Sequence, residues 1–177
     1  MRHVEHDETQ KDGTLWLPNA PLTEHGRQVA ARVRDTHLKR VHFARAGCSR
    51  ILRARQTLEI VIPGATFEEL DFLSPDTLDE WDILRNAPTF DAACRCAPEF
   101  LKREGRRVWD GMQRYAETHL QNGQCALFVG NQPLIECAAA DAIGAWPPPF
   151  ALKKGGIAVF TLINGGRPDV EILPAPE

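Results

Sequence analysis

Apolar and polar positions alternate along the chain with two periods. Leu22 is followed by Val29, Ala30, Val33 and Leu38 at helical spacing, behind Thr23, whose hydroxyl suits an N-cap, so a helix is predicted over about 23–38. Val41 to Ala46 reads as a short strand. Ile51, Leu52, Ala54, Leu58 and Val61 restore the helical period from Arg50 to Ile62, and Pro63-Gly64 stops it. Thr66 to Phe72 reads as a second strand. Ser74 to Cys96 holds two prolines, several acids and little periodicity, and is read as an irregular excursion with a short helix around Leu78 to Leu84. Such excursions often border binding sites.

The second half is more regular. Phe100, Leu101, Val108, Met112, Tyr115 and Leu120, with charges between them, predict one long amphipathic helix from Pro98 to Leu120, ending near Asn122-Gly123. Cys125 to Val129 is a continuous apolar run of strand length, the pattern of a strand buried on both faces in a parallel sheet. It ends at Gly130-Asn131-Gln132-Pro133, before a predicted helix from Leu134 to Ile143. Ile157 to Ile163 and Val170 to Leu173, separated by Asn164-Gly165-Gly166, predict a closing hairpin. Strands interleaved with helices imply a three-layer α/β/α sandwich with a mostly parallel central sheet, and no internal repeat breaks it. Chemistry in such folds sits at the carboxyl ends of the strands.

Composition narrows the choice. At 177 residues, 43% hydrophobic and 25% charged, the chain suits one domain over 1–177. A net charge of −3 with no block of like charge predicts neither a nucleic-acid nor a membrane partner, so a bound anion must meet a local basic cluster. No apolar run approaches the length of a membrane span, and the start, Met1-Arg2-His3 with Glu5, His6, Asp7 and Glu8, is unlike a signal peptide; a cytoplasmic protein is expected. The five cysteines form no disulfide or zinc pattern and read as ordinary thiols, Cys94-x-Cys96 included.

Two arginine-bearing segments adjoin predicted element ends, Arg2-His3 and the run Ser49-Arg50-Ile51-Leu52-Arg53-Ala54-Arg55-Gln56-Thr57. Guanidinium forks match phosphoryl oxygens, and a helix N-terminus adds partial positive charge. From spacing alone Arg50, Arg53 and Arg55 read first as a solvated helix face.

Four strings in order change that balance. Met1-Arg2-His3-Val4-Glu5 resembles the Arg-His-Gly or Arg-His-Ala-Glu motif of the histidine phosphatase superfamily, the phosphoglycerate-mutase-like fold. Pro21-Leu22-Thr23-Glu24-His25-Gly26-Arg27 is similar to its Leu-Thr-x-x-Gly helix opening. Ser49 to Thr57 resembles Ser-Pro-x-x-Arg-Ala-x-Gln-Thr with Arg50 for proline, and Val129 to Pro133 resembles Val-Gly-His-x-Pro with Asn131 for histidine. The resemblance covers nearly the whole chain.

It implies a phosphatase in which His3 becomes a phosphohistidine, Arg2 and Arg53 hold the phosphoryl oxygens, and Glu69 protonates the leaving group, with Asp71 or Asp76 as alternative acids. Glu5 and Asn131 are expected beside the bound phosphate. The substrate implied is a phosphorylated small molecule or a phosphoprotein, the chemistry needs no cofactor or metal, and oligomeric state is left open. Asn131 offers a neutral donor where the family has a cation, which predicts reduced activity unless another cation such as His6 substitutes; the alternative is a pseudophosphatase that binds phosphorylated ligands or partners without turnover. A mutase fits less well, because the long insertions of those enzymes are missing. Val4, where a small residue usually follows the nucleophile, is a minor departure. The resemblance also implies an apolar strand directly before Arg-His in the centre of the sheet. Residues for it are missing ahead of Met1, which predicts either a sequence starting at an internal methionine or a fold whose first strand is missing.

Overall fold

The computed structural model describes residues 1–5, 20–74, 87, 89–162 and 168–176. Helix α1 spans Glu24–Val33 and continues as a wider π-type turn over Arg34–Leu38, so the segment predicted as one helix changes its pitch near the end. Thr23 caps it, its hydroxyl accepting from the Gly26 N–H at 2.9 Å. Strand β1 is Phe43–Cys48, helix α2 Leu52–Val61, and β2 only Glu68–Glu69. The chain then turns into a short 3-10 helix over Asp71–Leu73 that tucks Leu73 into the core, which shortens the strand expected over 66–72.

Helix α3, Phe90–Cys96, occupies the end of the segment read as irregular, with Thr89 capping it through the Ala92 N–H. The short helix expected around 78–84 lies outside the described residues. Helix α4 covers Pro98–His119, β3 Cys125–Val129, α5 Leu134–Ile143, and the hairpin pairs β4, Ile157–Thr161, with β5, Asp169–Leu173.

β1 lies between β2 and β3, parallel to both, while β4 and β5 are antiparallel. Alternate residues of β3 point to opposite helix layers. Leu127 and Val129 pack with Val29, Val33, Leu58 and Val61 of α1 and α2; Phe128 packs with Val108, Tyr115, Leu134 and Ala138 of α4 and α5. This is the three-layer α/β/α sandwich expected. None of the described helices is long and apolar enough to cross a membrane.

Met1–His3 form a stub of strand between the two sheets. The Gly130 N–H donates to Met1 O at 3.0 Å and the His3 N–H to Gly130 O at 3.0 Å, a parallel pairing, while on the other side the Arg2 N–H donates to Gly156 O at 2.9 Å. The start of the chain is thereby held at the carboxyl end of β3.

Candidate active site

His3 leaves the end of this stub and is 95% buried, with 5% of its surface accessible. Its Nδ1 lies 2.7 Å from Val4 O. A carbonyl only accepts, so Nδ1 carries the proton and Nε2 keeps a lone pair. The Arg53 Nε–H donates to that Nε2 at 3.1 Å. A neutral imidazole with its unprotonated nitrogen turned toward a guanidinium is the state a nitrogen nucleophile requires.

Arg53 comes from the first turn of α2 and is itself buried at 7% exposure, which rules out the solvated-face reading for this arginine. Thr57, one turn on, ties the helix to the stub: its hydroxyl donates to Arg53 O at 2.7 Å and receives the Val4 N–H at 3.3 Å. Gln56 accepts the Leu22 N–H at 2.8 Å, joining the α1 entry to the same helix. Gly26 of α1 lies against the backbone of Glu5, where a Cβ would come within 2.1 Å of the carbonyl oxygen, so only glycine lets this helix approach behind the histidine.

Asn131 follows Gly130, whose carbonyl receives the His3 N–H, and is buried with Nδ2 donating to Ser49 Oγ at 3.2 Å. Its Oδ1 is buried without a hydrogen-bond partner among the described residues. Turning the amide over lets the Ser49 hydroxyl donate to Oδ1 and frees Nδ2 as a donor to an anion. Ser49 is fully buried and its N–H is held by Val129 O at 3.0 Å, so β1 and β3 end together here.

Arg2 takes a different direction. Its Nη1 donates to Leu152 O, its Nε lacks a partner among the described residues, and burial lowers its pKa against the raising field of Glu136. Glu5 accepts from the Thr23 hydroxyl at 2.9 Å, bracing the α1 cap. Glu69 forms an ion pair with Arg55 on the exposed edge, and Asp71 pairs with Arg50 at 2.5 Å. Asp76 and His6 lie outside the described residues.

Glu136 was not foreseen. It is 0% exposed among the apolar residues of the first two turns of α5, and burial raises its pKa. Its Oε1 accepts the Leu152 N–H at 3.0 Å and Gln132 Nε2 at 2.9 Å. It therefore fixes the backbone of Leu152, the residue whose carbonyl holds Arg2. The available signal was a single acid inside Leu134-Ile135-Glu136-Cys137-Ala138-Ala139-Ala140. Cys48, at the end of β1, is a buried thiol whose pKa burial pushes up to about 11, so it stays protonated and inert at neutral pH. Among the described residues no three His, Cys, Asp or Glu side chains gather to hold a metal ion.

Residues 1–167 match the family described as "Histidine phosphatase superfamily (branch 1)". Similar solved structures include Bacillus stearothermophilus YhfR, 21% identical with a TM-score of 0.73 over 99% of this chain and 95% of that one. The protein histidine phosphatase SixA complexed with tungstate is 20% identical, with a TM-score of 0.68 over 99% and 94%. The alpha-ribazole phosphatase from Shigella flexneri is 19% identical, with a TM-score of 0.71 over 98% and 93%. At these identities the likeness carries the fold. No curated protein matches the chain.

Proposed function

Since the chain belongs to the histidine phosphatase superfamily, we propose that it hydrolyses a phosphomonoester or phosphoprotein through a phosphohistidine on His3. The observation that carries this is the pair of contacts on one imidazole, Nδ1–H on Val4 O and Nε2 facing the Arg53 guanidinium. Nε2 forms a bond to phosphorus as the bond to the leaving oxygen breaks, and a carboxylic acid, assigned to Glu69, gives that oxygen its proton. Water then attacks the phosphohistidine and releases phosphate, with His3 returning as the leaving group. Arg53, buried and already aimed at the reacting nitrogen, holds the phosphoryl oxygens. Arg2 joins it by exchanging Leu152 O for the anion, and Glu69 must likewise exchange Arg55 for the leaving oxygen. Asn131 adds a neutral donor. Structural relatives named for a phosphoprotein and for a small phosphomonoester keep both substrate classes in view. The reading includes a protein working in the cytoplasm without metal or cofactor.

One observation favours a second reading. With Asn131 neutral and Arg2 engaged elsewhere, the pocket could hold a phosphorylated ligand or partner without turning it over. The two are separated by turnover of p-nitrophenyl phosphate together with acid-labile, base-stable labelling of the protein by a radiolabelled phosphodonor. The phosphatase reading expects turnover and labelling that both vanish in His3→Ala. Turnover that survives His3→Ala overturns it, whereas vanadate binding with no turnover and no label selects the pseudophosphatase.

A further inference from the structure

Two polar side chains are buried together just beyond the sheet: Ser49, which follows β1, at 0% exposure, and Asn131, which follows Gly130 at the end of β3, at 3%. One contact joins them, 3.2 Å between Asn131 Nδ2 and Ser49 Oγ. With the amide nitrogen donating there, Oδ1 has no hydrogen-bond partner among the described residues, and the Ser49 hydroxyl proton has no acceptor among them. Burial strips polar groups of water and only a hydrogen bond offsets that loss, so two unmet groups in one pair mark the less stable orientation. The oxygen and nitrogen of an amide occupy nearly the same volume, and exchanging them repairs both defects. The hydroxyl then donates to Oδ1, and Nδ2 is released from Ser49 with its two N–H groups available to an anion.

The hydroxyl can hold the amide because the backbone that carries it is fixed on both sides. The Ser49 N–H donates to Val129 O at 3.0 Å, the Leu70 N–H to Cys48 O at 2.9 Å, and the Arg50 N–H to Ser74 Oγ at 3.0 Å. Ser74 is in turn held by Arg107 of α4, whose Nη2 donates to Ser74 O at 2.7 Å and whose Nη1 donates to Asp71 O at 3.3 Å. Glu104, itself 3% exposed, pairs with that guanidinium at 2.8 Å, so a buried carboxylate keeps Arg107 on the turn. With the peptides before and after Ser49 bonded in this way, the direction of its hydroxyl proton decides which end of the Asn131 amide is left for a ligand.

We propose that Ser49 is the positioning residue for Asn131: its hydroxyl donates to Oδ1 and so commits Nδ2 to the oxygens of a bound phosphoryl group. This rests on the reading of the pocket as a phosphoryl site and deepens it, because it explains how a neutral residue serves at a place where the resemblance implies a cation. A cation attracts the anion through its charge in any orientation. An amide has two ends alike in shape and opposite in effect, a nitrogen that donates to phosphoryl oxygens and an oxygen that repels them. Without the hydroxyl either end can face the anion; with it, one is selected. Ser49 therefore matters more beside asparagine than it would beside a protonated histidine.

The test is a double-mutant cycle on vanadate binding, measured by titration calorimetry for Ser49→Ala, Asn131→Ala and the two together. Ser49→Ala is expected to weaken binding about tenfold in the parent, and by no more than about twofold where residue 131 is already alanine. Ser49→Thr keeps the hydroxyl and is expected to keep the affinity; should its methyl group lower Tm, the alanine cycle decides alone. In ¹⁵N-labelled protein the Asn131 side-chain amide signals, identified by their absence from Asn131→Ala, are expected to shift when vanadate is added to the parent and to shift less in Ser49→Ala. Parent affinity in Ser49→Ala, additive losses from the two alanines, or amide signals that stay put while the parent binds vanadate overturns the proposal. A parent that binds no vanadate overturns both the proposal and the pocket. Vanadate binding that depends on Ser49, without turnover or phosphohistidine label, supports the proposal and refutes the phosphatase reading alone.

Discussion

Replacing Asn131 by histidine tests the proposed chemistry at the position where the sequence resemblance implies a histidine. The asparagine contributes at most a neutral hydrogen bond, worth about 0.5–1.5 kcal/mol, whereas an imidazolium at the same place contributes about 1.5–3. The difference, roughly 1.4 kcal/mol, is about tenfold in rate if it is realised in the transition state. The structure adds to that gain, because Asn131→His also removes an amide oxygen buried without a partner, and subtracts from it through the 3.2 Å bond to Ser49. A ring nitrogen can take over the Ser49 contact, so a rise in kcat/KM of about tenfold or more is expected.

The gain requires the protonated ring and must fade as pH rises through the imidazole pKa of about 6.5. Both proteins share the nucleophile His3, so the ratio of variant to parent cancels its contribution and isolates residue 131. The assay is kcat/KM on p-nitrophenyl phosphate from pH 5 to 8.5 for both proteins, with Tm confirming that the variant folds. A ratio at or below one across the whole range would refute the reasoning and show that another group already supplies the charge.

Further predictions follow from buried groups near the stub and from helix packing. In the folded 177-residue chain burial lowers the Met1 amine pKa from 8.0 to about 5, against the attraction of Glu136. The unfolded chain therefore binds more protons between those values, and stability is full above pH 8 and lost as pH falls toward 5, by roughly 4 kcal/mol at most. Urea unfolding at pH 5, 6.5 and 8 reads this slope, which N-terminal acetylation is expected to flatten; an unchanged slope after acetylation assigns it elsewhere. Glu136→Ala strips the buried Leu152 N–H of its acceptor and is expected to cost about 1–3 kcal/mol and weaken vanadate binding through Arg2. Glu136→Gln keeps the Oε1 acceptor and is expected to restore most of the binding, so equal losses in both variants would contradict a positioning role. Gly105→Ala gains about 1 kcal/mol of helix propensity, but its Cβ would sit 2.5 Å from Cys137 O on α5. A net fall in Tm of several degrees is expected, and a rise would show that the two helices can separate without cost.

What the sequence revealed depended on how much of an element's stability is local. α5 and β3 have the bounds expected, because a long apolar run ending at Gly130 and a helix ending at Gly144 with φ 67° carry their own stop signals. α3 escaped because seven residues contain too few turns for a period to show, although Thr89 supplied its cap. β2 shrank to two residues because Leu70 and Leu73 gain more by turning into the core than by extending an edge strand. At the site, motif spacing located His3, Arg53, Ser49 and Asn131 near one sheet edge, but no spacing could give the direction of a side chain. Arg2 on Leu152 and Glu69 on Arg55 are decided by tertiary partners remote in sequence.

Glu136 shows why such partners stay hidden. A carboxylate on a buried helix face conflicts with the local pattern, and its reason for being there is visible only once the 152 loop folds over it. The stub carries the same logic further. Met1–His3 pair with the end of β3 and carry the proposed nucleophile, and His3 is positioned by Gly130 O and by the Val4 N–H bond to Thr57. A catalytic group must stay within roughly 0.5 Å of its productive position. Contacts from β3 and α2, at Gly130 O, at the Thr57 hydroxyl and at the Arg53 guanidinium, therefore hold the nucleophile between two elements remote in sequence.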